Sequence, residues 1–69
     1  MKVGDVISES IEFGIPWKEA ERNDQTQRGV VFKKSLGLFY ILWFDTRESS
    51  RRTDYWARSN SVKIINESR

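Results

Sequence analysis

A chain of 69 residues with 38% hydrophobic and 13% aromatic content is long enough for one small folded domain and too apolar for a disordered segment. It has no Cys and no His, which removes disulfide staples, ordinary zinc sites and the commonest acid–base and thiol catalysts. The net charge of +2 is unevenly spread, with residues 1–24 at net −3 and residues 25–69 at net +5, a polarity that keeps a chain soluble or steers it onto an oppositely charged surface.

The chain reads as a single domain over residues 1–69. Its opening, "KVGDVI", is a short strand with a turn or bulge signal at Gly4-Asp5. "MKVGDVISES" has no apolar core of the kind a signal peptide carries, and no run reaches the ~20 apolar residues of a membrane span, so no membrane partner is expected. Residues 8–28 lack helical periodicity and read as a long loop or insertion after strand 1, broken by Pro16 and by the Asn23-Asp24 turn signal. Within it, "PWKEAER" has the composition of a single helical turn, with Pro first and acids following.

"RGVVFKK", rich in β-branched residues, is the next strand. "SLG" is a tight connection, and "LFYILWFD" completes a hairpin. Side chains alternate across a strand. Phe39, Ile41 and Trp43 therefore share one face and are assigned to a core with Val30, Phe32, Val62 and Ile64. Leu38, Tyr40, Leu42 and Phe44 share the other face, which a chain this short has little left to cover. "TRESSRR" reads as a polar loop, "TDYWARS" as a short strand edge or turn, and "SVKII" as the last strand. Five short strands separated by turn signals predict an all-β fold, a small five-stranded barrel.

Chemistry is sparse. Asp45, Glu48 and Asp54 are the only nearby carboxylates around one loop, and they read as solvated turn residues. The four glycines are isolated and make no phosphate-cradling loop. We expect no enzyme activity, no metal and no cofactor. Arg47, Arg51, Arg52 and Arg58 lie near Tyr55 and Trp56, a combination that grips single-stranded nucleic acid. Asp45, Glu48 and Asp54 interrupt it, which favours a solvated or salt-bridged loop and leaves polar contacts at the rim of an interface as a second role. A proline-rich-peptide groove of the signalling type lacks its Ala-Leu-Tyr-Asp-Tyr segment. The strongest signal is an excess of aromatic and apolar side chains. Phe13, Ile15, Trp17, Leu38, Tyr40, Phe44 and Tyr55 are the candidate partner-binding residues, unless "FGIPW" folds back over the second face.

The order "KVGDVI", "GVV", "FYILWFD", "YWA", "VKII" resembles an SH3-like barrel. More narrowly, the chain is similar to very short barrel proteins of tailed phages that infect cyanobacteria. Lys2, Gly4, Asp5 and Ile7 match their start, Ile41, Trp43 and Asp45 their middle strand, and Asp54 and Trp56 the next element, with Tyr55 inserted. Val62, Ile64 and "INESR" match their end. The 8–28 insertion and the "TRESSRR" loop depart from the compact turns of those proteins. The resemblance implies a non-enzymatic interaction module, a minor capsid, neck or tail-associated component that docks on a larger phage structural protein. It implies a location in the virion, or in the host cytoplasm during infection. The alternatives are a small nucleic-acid-binding phage protein and an inhibitor of a host enzyme. Because so small a chain lacks other staples, association is expected whatever its oligomeric state.

Overall fold

Gly29 sets the register of the sheet. In the computed structural model, which describes residues 1–12 and 14–67, Gly29 lies opposite Trp43 in an antiparallel pair. A β-carbon there would sit 2.6 Å from the Leu42 carbonyl oxygen and 2.8 Å from both the Ile41 and Trp43 side chains. The indole occupies the space that any other residue would fill. With Gly29 on the inner side, Val31 also points inward, and Val30 points outward.

The strands are β1 (Val6–Ser10), β2 (Thr26–Ser35), β3 (Leu38–Trp43), β4 (Ser49–Thr53) and β5 (Val62–Asn66). They form one antiparallel sheet in the order β4-β3-β2-β1-β5. The fold is all-β, as expected, with five strands. The sheet is open, with β4 and β5 as its edges. Two short helical segments complete it: α1 (Trp17–Arg22) between β1 and β2, and α2 (Asp54–Ala57), one turn between β4 and β5.

The inner face holds the core. Ile7, Val31, Phe39, Ile41 and Trp43 are buried together, with Met1, Trp56, Ala57, Val62 and Ile64 packed against them. Phe39, Ile41 and Trp43 thus lie where the sequence puts them. Val30 and Phe32 do not: the pairing of Gly29 with Trp43 turns Val31 inward and its neighbours Val30 and Phe32 outward, and a β-bulge between Val31 and Lys33 brings Lys33 to the outer side beside Phe32. Phe32 is instead 47% exposed, with its ring 6.2 Å from that of Tyr40 on the outer side.

Four other boundaries differ from the sequence reading. Residues 2–5 are a turn rather than strand. Gly4 takes φ 95°, the Lys2 amide donates to the Asp5 carboxylate at 2.8 Å, and β1 starts only at Val6. Residues 8–10 and 26–28 belong to β1 and β2, so the connection spans 11–25 and contains α1. Its helical turn is real: the Pro16 carbonyl accepts from the Glu19 and Ala20 amides, and Ala20 is buried. Ser49–Arg52, taken as loop, together with Thr53 form β4. The apolar strand β3 exposes a row of backbone groups that must be paired, and "SSRRT" pairs them. The "TDYWA" segment turns into α2, capped where the Thr53 hydroxyl accepts from the Trp56 amide at 3.3 Å. The matches expected at Ser68 and Arg69, and the role given to Phe13, lie outside the described residues.

Candidate interaction surface

The outer face of β2, β3 and β4 is built in rows set by strand pairing. Ser35, Leu38 and Thr53 form the first row. Lys33, Tyr40 and Arg51 form the second, with the bulged Phe32 beside them. Val30, Leu42 and Ser49 form the third. Phe44 continues the alternation past β3, its amide donating to the Arg28 carbonyl at 2.9 Å. Leu38, Tyr40 and Val30 are half-buried, while Leu42 is 39% and Phe44 47% exposed. Exposed apolar side chains occur singly on any surface, but a contiguous set marks an interaction site.

Trp17, in the connection between β1 and β2, covers another part of this face. The Trp17 indole N–H donates to the Ser8 hydroxyl at 2.9 Å, and the Lys63 ammonium sits 4.6 Å above the ring. Ser8 alternates with buried Ile7 and Glu9, so Trp17 seals β1 and β5 from outside. α1 lies mainly against β1 and β2. Trp17 is therefore a lid residue, and Ile15 is half-buried in the same connection.

Charges on the outer face are graded. Lys33 and Arg51 flank Tyr40, and the Lys33 ammonium is 5.1 Å from the Tyr40 ring centre. At the Phe44 end, Asp24, Thr26, Arg28, Phe44 and Asp45 line an open cavity of about 420 Å³.

The arginines proposed to act together are dispersed by the fold. Arg51 points outward next to Tyr40. Arg52 points inward, and its guanidinium meets Glu9 at 2.9 and 3.3 Å. The Trp56 indole donates to the same carboxylate at 3.0 Å, and Gln27 donates at 2.9 Å. Arg47 sits in the β3–β4 turn with φ 60°, and Arg58 follows α2, exposed. Thus Arg52 and Trp56 are structural: they hold a carboxylate that is 6% exposed. Glu9 escaped the sequence reading, although it lies two residues after core Ile7 on a strand, a spacing that puts a charge on the buried face.

A second concavity, about 600 Å³, opens where β1 runs into the connection, opposite the end of β4 and α2. Glu9, Ile11, Arg52, Tyr55, Trp56 and Asn60 line it, and Tyr55 is 84% exposed. Tyr55 is therefore separated from the Tyr40–Phe44 surface.

The three carboxylates singled out from the sequence are not all brought together. Asp45 and Glu48 lie at one end of β4 and Asp54 at the other. Among the described residues no three His, Cys, Asp or Glu side chains group to hold a metal ion. No helix in them is long and apolar enough to cross a membrane. No protein-family model matches the chain, and no curated protein and no solved structure matches it.

Proposed function

We propose that this chain is a non-enzymatic interaction module that works by burying the outer face of β2, β3 and β4 against another protein surface. One observation carries the reading: Phe32, Leu38, Tyr40, Leu42 and Phe44 lie together on the outer face, with Phe32, Leu42 and Phe44 exposed. Aromatic side chains and arginine are enriched at interface centres. The groove at Tyr55 offers a second docking surface for a larger protein.

We read this five-stranded sheet, whose β4 and β5 edges are not paired, as SH3-like. The strand order, the long connection after β1 and the single helical turn before β5 support it. So does the latch through Glu9, Arg52 and Trp56, which ties β1, β4 and α2 across the inner face. The resemblance carried by Gly4, Asp5, Trp43, Asp45, Asp54 and Trp56 supports reading the module as a minor virion component of a tailed phage. The nucleic-acid alternative through Arg51, Arg52, Trp56 and Arg58 loses two of its four residues to Glu9.

Mass spectrometry of purified particles tests the assignment. The chain should be present at constant copy number in wild-type particles. It should be depleted when Tyr40→Ser and Phe44→Ser are combined. Absence from wild-type particles removes the virion role.

A further inference from the structure

We infer that the β2–β3 turn is an anchor, in which Leu36 is a knob that enters an apolar socket on a larger particle protein, with carboxylates of the socket rim facing Lys33 and Lys34 and a hydrogen-bond donor facing Asp54. The inference rests on the reading of the chain as a virion module and adds a contact outside the outer sheet face.

Leu36 is ill suited to the turn it occupies. The two residues between Ser35 and Leu38 both have positive φ, 50° at Leu36 and 76° at Gly37. Asn-Gly is the favoured pair for such a turn, because asparagine tolerates the left-handed region. A leucine there brings its β-carbon against the following carbonyl oxygen and strains the backbone. Burial does not offset the strain, since Leu36 is 99% exposed. Exposed apolar side chains are ordinary on a surface. Among the described residues, however, Leu36 is the only apolar side chain on a left-handed backbone and the most exposed of the large apolar ones. Strain from which the fold gains nothing points to a contact made outside the chain.

The neighbours give the socket its chemistry. Gly37 has no side chain, so Leu36 stands alone at the tip. Behind it, β2 carries one lysine on each face. The Lys34 ammonium lies 5.3 Å from the Phe39 ring centre on the inner face, and the Lys33 ammonium 5.1 Å from the Tyr40 ring centre on the outer face. Beside Gly37, the Asp54 amide donates to the Gly37 carbonyl at 3.0 Å, and the Asp54 carboxylate lies 3.7 Å from where a Gly37 β-carbon would be. An apolar centre with a polar rim is the anatomy of a protein interface, and charges of both signs around the knob fix its orientation. The same pattern disfavours other occupants. An anionic lipid surface or a nucleic acid would attract Lys33 and Lys34 but meet Asp54. A second copy offers the groove at Tyr55 and Trp56, where Glu9 and Glu12 are matched by Arg51 and Arg52 and leave no excess of acid for the two lysines.

Leu36→Asn separates folding from docking. It should raise the melting temperature by about 4 °C as the turn strain is relieved. Produced together with the parent chain, it should nevertheless be about tenfold under-represented in purified particles, counted by mass spectrometry. Lys34→Glu, which lies off the outer sheet face, should be about threefold under-represented. A melting temperature that does not rise, or equal incorporation of Leu36→Asn and the parent, overturns the anchor. Full incorporation of Lys34→Glu overturns the acidic rim. If Leu36→Asn is retained while Tyr40→Ser/Phe44→Ser is depleted, the virion reading stands and only the anchor falls. Absence of the parent chain from particles overturns both. Binding to vesicles of equal parts phosphatidylserine and phosphatidylcholine, to a labelled DNA duplex, or to a second copy in sedimentation equilibrium, if abolished by Leu36→Asn, would give the tip to that occupant and overturn the socket.

Discussion

Glu9 is the residue on which the inner face turns. Its carboxylate is buried and accepts from Arg52, Trp56 and Gln27, so one side chain on β1 ties β2, β4 and α2. The Arg52 guanidinium also lies between two indoles, 5.5 Å from the Trp43 ring and 5.9 Å from the Trp56 ring. A buried ion pair contributes little over an apolar pair, yet breaking it from one side is costly. Arg52→Ala should therefore cost about 3 kcal/mol, because the carboxylate is left without its countercharge. Adding Glu9→Gln should recover part of that loss, because the neutral amide tolerates burial. Urea unfolding of the single and double variants checks it. A double variant less stable than Arg52→Ala would show that the carboxylate contributes by other means.

At the scale of elements, β3 was legible and its neighbours were less so. "LFYILW" is apolar enough to identify a central strand, and its alternation assigned Phe39, Ile41 and Trp43 inward correctly. β4 was hidden because "SSRRT" has no apolar residue. Its inward positions are filled by Ser50, which accepts from the Trp43 indole at 3.0 Å, and by Arg52, which needs Glu9 forty-three positions away. Both partners are set by tertiary contact, which no local pattern records. The β2 register failed for a similar reason. Val30, Val31 and Phe32 are all good strand residues, and only the fit of Trp43 on Gly29 decides which one turns inward. The helical turn α2 was ambiguous in "TDYWARS" because four residues cannot show helical periodicity. Its definition rests on the Thr53 cap. Thr53→Ala should cost about 1 kcal/mol, seen as a lower melting temperature with the chain still cooperative.

For the whole molecule, the sequence posed a surface question that packing resolves only on one side. The inner face is closed by α2, Met1 and the β5 side chains. The outer face is divided between a sealed part under Trp17 and an open part around Tyr40, Leu42 and Phe44. The candidate site was half legible: Leu38, Tyr40 and Phe44 were found together, whereas Phe32 was assigned to the core and Lys33 reaches this face only through the bulge. The thermal unfolding of Tyr40→Ser/Phe44→Ser tests the claim that this open part is an interface and carries little of the fold. The double variant should unfold cooperatively, with a melting temperature within about 8 °C of the parent, corresponding to a loss near 1 kcal/mol. Loss of the cooperative transition would mean that these side chains belong to the core, and that the chain's own residues cover them.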